Sequence, residues 1–365
     1  MGLFGARSPQ VPRLDFELTS GCDHRCGHCY NVWNARPGEP QGGYPRGQLD
    51  TPATLAMMTK AVRESGAEHI TLTGGEPLLR KDATEILRHA AALVPSLQLI
   101  TNGSHVTPEV VGLAAELRLR SVQLTILSAK PALHDHLKGA VSYHDTVRAV
   151  LDLSEAGVPV QVCYVAMSAN AGEVGGVADL AFALGARALT YNRMSATGWA
   201  VGAIDRLLPD VEEVDRDLTA LDQRAARYRL RVATAMPIPP CLIRHQRYPR
   251  VRFGFCSVGT ASPNVTIDPL GNVRSCNLSS AILGNILEQP WASLYPGEHV
   301  RRFDQHLPEI CRGCRYEKTC RGGCKESAFA AYGDLGAQEP FLRRALEGPE
   351  RPARTARLRV VGGEP

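Results

Sequence analysis

GCDHRCGHCY, residues 21–30, follows the β-prone run LDFEL (14–18), and GGEP, residues 74–77, follows a second such run, HITLT (69–73). Both are loops at the C-terminal end of a strand, the position at which barrels of alternating strands and helices build their sites. Outward from them the alternation continues. LQLIT (97–101), SVQLTI (121–126), VPVQVCYVA (158–166) and RALTY (187–191) read as further strands, with helices expected at roughly 52–65, 82–93, 108–118, 143–156, 173–184 and 211–227. Repeated strand–helix units imply a parallel sheet. Six units fall short of the eight that close a barrel, so the expected fold is α/β, a partial (β/α)6 TIM-like barrel. Thr51 before Pro52 and Thr107 before Pro108 read as helix starts, and Gly66 and Gly157 as helix stops.

Pro237, Pro239 and Pro240 end the regular pattern. The expected division is an N-terminal extension (1–13), the partial barrel (14–230), a small cysteine-rich domain (231–335) whose order depends on metal, and a flexible arginine-rich tail (336–365). A 365-residue chain that is 44% hydrophobic can bury a substantial core. No apolar run is long enough to span a membrane, and MGLFGARSPQVPRL lacks the apolar stretch of a secretory signal, so a cytoplasmic protein is expected. A net charge of +4 gives no reason to expect nucleic acid or a membrane surface as partner.

Cysteine is the informative residue. In a reducing compartment eleven of them point to metal or redox chemistry rather than to disulfides. Cys22, Cys26 and Cys29 form one group. Cys241, Cys256, Cys276, Cys311, Cys314, Cys320 and Cys324 form another, and Cys163 stands alone in a strand, read as a buried core residue. Three thiols without a clear fourth suit a [4Fe–4S] cluster with one open iron; His24 or His28 completing a zinc site is the alternative. The glycines of GGEP permit close backbone approach, and its carboxylate suits an ammonium group.

Taken together, CxxxCxxC after the first strand and GGEP after the second resemble the radical S-adenosylmethionine superfamily. The resemblance implies that Cys22, Cys26 and Cys29 hold a [4Fe–4S] cluster whose open iron chelates the methionine end of S-adenosylmethionine, which is then cleaved to a 5′-deoxyadenosyl radical. It further implies a cofactor shelf made of Gly74, Gly75, Glu76 and Pro77, of Asn102 after strand three, Ser128 after strand four, Asn192 after strand six, and Tyr30 as the aromatic beside the cysteines. Taken alone, Ser128 or Asn192 is more often a turn or capping residue than a ligand contact. HDHLKG (134–139) is similar to a segment found in peptide-modifying members.

The C-terminal cysteines, ending in Cys311-x2-Cys314-x5-Cys320-x3-Cys324, resemble the SPASM domain, which implies one or two auxiliary [4Fe–4S] clusters. By that analogy Cys241, Cys256, Cys276 and Cys324 hold the first, and Cys311, Cys314 and Cys320 the second, whose fourth donor is Asp334, Glu326 or Glu339 if there is one. A zinc ribbon is the alternative. The implied activity is oxidative crosslinking or other maturation of a ribosomally made peptide, with an external flavodoxin- or ferredoxin-type electron donor and a separate leader-recognition protein as partners. Haem-precursor side-chain modification, sulfatase-maturating oxidation and a non-catalytic iron–sulfur scaffold are the alternatives. Asn277 stands where sulfatase-maturating enzymes carry an acidic residue, and no catalytic base is assigned.

Overall fold

The computed structural model describes residues 11–35, 41–303 and 305–348. Residues 1–10 of the expected extension and 349–365 of the expected tail lie outside them. One sheet of eleven strands organises the rest. In chain order the strands are β1 (Arg13–Glu17), β2 (His69–Thr73), β3 (Ser96–Thr101), β4 (Ser121–Thr125), β5 (Val160–Ala166), β6 (Ala188–Arg193), β7 (Arg231–Ala233), β8 (Val251–Arg252), β9 (Asn264–Ile267), β10 (Asn272–Arg274) and β11 (Ile282–Asn285). In space they run β11-β10-β9-β1-β2-β3-β4-β5-β6-β7-β8. Neighbours from β9 through β1 to β8 are parallel; β9, β10 and β11 form an antiparallel ribbon.

Eight helices accompany the barrel strands: α1 (Thr51–Ser65), α2 (Ala83–Leu93), α3 (Pro108–Glu116), α4 (Pro131–Lys138), α5 (Tyr143–Glu155), α6 (Val174–Ala183), α7 (Ile204–Leu207) and α8 (Val211–Tyr228). The Thr107 hydroxyl caps α3 by accepting from Val110 N–H, and Gly66 ends α1 in the left-handed region at φ 71°. At the start of α1 the cap is Asp50, accepting from Ala53 N–H, not Thr51. The Thr51 hydroxyl instead donates to Asp82 at 2.6 Å.

The two halves of the chain share this sheet. β1 pairs with β2 on one side (Asp15 opposite Thr71) and with β9 on the other (Asp15 opposite Thr266). Alternation does end near residue 230, but the sheet does not. Strands of two to four residues such as β7, β8 and β10 are too short for a period-2 pattern to reveal. The C-terminal segment also departs from the expected tail: Pro340–Glu347 is a helix that buries Phe341 and Leu342, with Glu339 buried just before it.

In-register pairing divides the sheet into two faces. Leu14, Phe16, Ile70, Leu72, Leu97, Leu99, Val122, Leu124, Val160, Val162 and Leu189 lie on the helix side and belong to the main hydrophobic core. The inner face is polar. Register carries it from Thr266 and Asp15 through Thr71 and Gln98 to Ser121, and from Gln123 through Gln161, and from Thr125 through Cys163 to Thr190. A closed barrel fills this space with branched apolar side chains; here it is lined with amides, hydroxyls and carboxylates.

Candidate functional site

The cysteine loop leaves β1 at its C-terminal end and is gripped on every side. Gly75 N–H and Glu76 N–H, from the loop after β2, donate to Thr19 and Gly21 carbonyls, each at 2.8 Å. The approach is so close that a Cβ on Gly75 would stand 2.0 Å from the Gly21 oxygen. The glycine is thus required by the neighbouring loop, a nearer cause than ligand access. Asp23 accepts from the Asn102 amide at 2.7 Å and from His105 Nε2 at 3.0 Å, tying the loop to the end of β3. Arg25 N–H donates to the Lys138 carbonyl at the end of α4, and Ala200 N–H to the Cys29 carbonyl. Arg80, only 6% exposed, donates to the Leu18 carbonyl while paired with Asp82, so it braces the exit of β1.

The three thiols lie within electrostatic reach of one another, and burial pushes Cys22 up to about 11, Cys26 up to about 12 and Cys29 upward as well. Cys22 is nonetheless exposed at the surface, and Cys26 and Cys29 are half-buried; partly desolvated thiols of this kind ionise when a metal supplies the opposing charge. Among the described residues no three His, Cys, Asp or Glu side chains lie close enough to share one ion. His24 and His28 lean on α4: His24 is held by Ser104, and burial lowers it to about 4 and His28 to about 3. Lys138, 3% exposed, places its charge near Cys26, Cys29 and Cys163. It belongs to the HDHLKG run, where a charged residue in the last turn of a short helix gives no sign that it will be buried.

Of the expected shelf residues, Glu76 and Asn102 bond directly to this loop, whereas Ser128 and Asn192 are held by other partners. Glu76 is fully buried, with its oxygens taking Leu78 N–H, Thr101 hydroxyl and Asn102 N–H. Through these three bonds it staples the β2 loop to the β3 loop. Pro77 begins the short turn that follows. The Ser128 hydroxyl donates to Glu173 at 2.6 Å and accepts from Lys130 N–H, a capping arrangement. Asn192 accepts from Ala235 and Met236 N–H and directs its amide toward Cys163. Tyr30 is half-buried beside Glu17 and Asp15, its hydroxyl on the Asn277 side chain. It therefore bridges from Cys29 to the residue after Cys276, a link between the two cysteine groups.

That link lies on a buried polar brace. Glu17 and Arg274 form an ion pair less than 2% exposed on either side, across β1 and β10. Burial pushes Glu17 up to about 7 against the pull of Arg274, and Asp15 up to about 6 against hydrogen bonds from Thr71 and Asn264. A second buried pair, Arg193 with Glu339, fastens the end of β6 to the C-terminal helix at 2.6 Å.

The C-terminal thiols fall into two sets, differently from the expected assignment. Cys256, Cys276 and Cys324 influence one another. Cys241 stands within electrostatic reach of Cys311, Cys314 and Cys320. Spacing along the chain could not show this, because the segment carrying Cys241 follows β7 to the far edge of the sheet before the chain returns through β9. Burial pushes Cys320 up to about 11 and Cys324 up to about 12. Of the three carboxylates considered for the last position, Asp334 is exposed and caps Gly336 N–H. Glu339 has both oxygens on Arg193. Glu326 is near Cys276 and Cys256, in the other set. Both sets present soft thiolate donors of the type iron–sulfur clusters take.

Residues 16–181 match the Radical SAM superfamily, and residues 256–315 match SPASM, an iron–sulfur cluster-binding domain. The PqqA peptide cyclase of Methylocella silvestris is 30% identical over 336 residues, covering 89% of this chain and 85% of that protein. The AdoMet-dependent heme synthase of Methanosarcina barkeri is 28% identical, covering 91% of this chain and 96% of its own length. Among solved structures, Streptococcus suis SuiB bound to precursor peptide SuiA shares the fold with a TM-score of 0.71 at 14% identity, over 91% of this chain and 74% of that one. Cys241, Cys320 and Cys324 stand outside the matched 256–315 segment, and the fold returns them to it.

Proposed function

Because the chain belongs to the radical S-adenosylmethionine superfamily and carries its SPASM extension, we propose that it oxidatively matures a ribosomally made peptide. Cys22, Cys26 and Cys29 hold the cluster that acts on S-adenosylmethionine, and the C-terminal thiols hold auxiliary clusters. The observation that carries this reading is the three-thiol loop fixed at the C-terminal edge of β1, over an inner sheet face made of hydrogen-bonding side chains. When bound, the cluster supplies the electron that splits S-adenosylmethionine into methionine and a hydrogen-abstracting 5′-deoxyadenosyl radical.

The chain's own residues hold and shield. Glu76 and Asp23 fix the cysteine loop through the β2 and β3 loops, and Arg80 fixes its entry. Gln98, Gln123, Gln161 and Thr190, on the same face by register, offer donors and acceptors that suit peptide amides better than a largely apolar macrocycle. The likeness to the PqqA peptide cyclase supports the same substrate class. An external flavodoxin- or ferredoxin-type donor delivers the electron, and a separate protein recognises the peptide leader. Among the described residues no helix is long and apolar enough to cross a membrane, and the thiol-rich composition fits a cytoplasmic setting.

The test uses peptides encoded beside the gene, synthesised with deuterated side chains, and in parallel a deuterated propionate-bearing haem precursor. Deuterium transferred from a peptide into 5′-deoxyadenosine, with loss of hydrogen from the peptide, is the expected result. Transfer from the haem precursor alone would replace the peptide reading with haem-precursor modification.

A further inference from the structure

The C-terminal thiols are unequally provided for. Cys241, Cys311, Cys314 and Cys320 make a full set of four, whereas Cys256, Cys276 and Cys324 make three. Glu326 stands beside the three. It follows Cys324 by two residues in the first turn of the helix Lys325–Tyr332 and is 1% exposed, and its charge acts on both Cys276 and Cys256. Its two oxygens differ. Oε1 is held by His299 Nε2 at 2.9 Å and Ser275 Oγ at 3.4 Å. Oε2 is buried with no hydrogen-bond partner.

An unpartnered carboxylate oxygen away from water is costly unless a cation meets it. Here it is kept beside three thiols that themselves need a cation to ionise. His299 on the other oxygen is the kind of support that orients a metal-ligating carboxylate. The other carboxylates near these cysteines are occupied: Glu339 receives Arg193 and Cys324 N–H, and Asp334 is exposed.

On the reading that these thiols carry iron–sulfur clusters, we infer that Glu326 is the fourth protein donor of the cluster held by Cys256, Cys276 and Cys324, binding through Oε2, while Cys241 completes the other. One auxiliary site is then all-thiolate. The other has a single oxygen-ligated iron, a harder site than its thiolate-held neighbours.

The test uses the full chain bearing Cys22→Ala, Cys26→Ala and Cys29→Ala, so that only C-terminal iron is counted. Anaerobic reconstitution should give about eight irons per chain, four per cluster, and mild oxidation should produce no three-iron EPR signal. Adding Glu326→Ala should release about one iron per chain on oxidation and produce that signal; Glu326→Cys should abolish it again. Glu326→Ala with unchanged iron and no three-iron signal overturns the inference. If the variants fail to fold, 57Fe Mössbauer spectra of the parent decide: about one iron in eight with oxygen-ligated parameters supports it, and a uniform all-thiolate spectrum overturns it. A parent that binds no C-terminal iron removes the auxiliary-cluster reading itself.

Discussion

Gly75→Ala is a one-carbon perturbation aimed at the contact that seats the cysteine loop. The new Cβ would lie 2.0 Å from the Gly21 oxygen, 2.6 Å from the Gly21 carbonyl carbon and 3.2 Å from the Cys22 Cβ. Ordinary carbon contacts need roughly 3.5 Å, so the loop has to retreat by on the order of 1 Å. Gly75 is not among the glycines with positive φ, so the cost is steric. Retreat lengthens the bonds from Gly75 and Glu76 N–H to Thr19 and Gly21, worth about 1 kcal/mol each, and overpacking adds about 1–3 kcal/mol. A displacement of this size at a reacting centre costs about 10²-fold in rate. Gly112→Ala in α3, where an added Cβ meets nothing within 4 Å, is the control and should be neutral or slightly stabilising. The assay is iron and sulfide content with deoxyadenosine formation after anaerobic reconstitution. Gly75→Ala should retain its C-terminal iron, lose N-terminal iron and fall about 100-fold in deoxyadenosine. Full iron and undiminished deoxyadenosine would refute the reasoning that this glycine seats the cluster loop.

Cys314→Ala should leave uncoupled deoxyadenosine formation measurable while abolishing the modified product; equal loss of both would contradict a division of labour between the two cysteine groups. Glu339→Gln leaves Arg193 buried without its countercharge, which costs about 3–5 kcal/mol; a thermal melt should show a marked drop in Tm, and an unchanged Tm counts against the pair as a fastener. Asp82 is held at about 2, mainly by its hydrogen bond from Arg80. Because its pKa is depressed in the fold, its contribution is complete above the ordinary carboxylate pKa and is lost as pH falls toward 2. Asp82→Asn should flatten stability against pH across that acid window, which chemical denaturation at a series of pH values would show or deny.

The barrel half was legible because its helices and strands each obey one period. HITLT is β2 as read, and the expected starts and stops of α1 through α8 differ from the structure by a residue or two, apart from the short α4 and α7. The cysteine loop and GGEP were legible as neighbours because both end adjacent parallel strands. What lies between elements far apart in sequence was not. Arg274 reaching Glu17, Glu339 reaching Arg193 and Cys241 joining Cys311 are pairings that no local pattern encodes. Side-chain partners were equally hidden: that Ser128 bonds to Glu173 and Asn192 to the Ala235–Met236 turn is set by contacts between distant segments.

The most direct measurement is deoxyadenosine formation by the anaerobically reconstituted chain given dithionite and S-adenosylmethionine. Three thiols gripped at the end of β1 should yield 5′-deoxyadenosine and methionine in equal amounts, and Cys22→Ala, Cys26→Ala or Cys29→Ala should each yield none. Unchanged turnover in any of these variants, or no deoxyadenosine from the intact chain with its iron in place, would contradict the account.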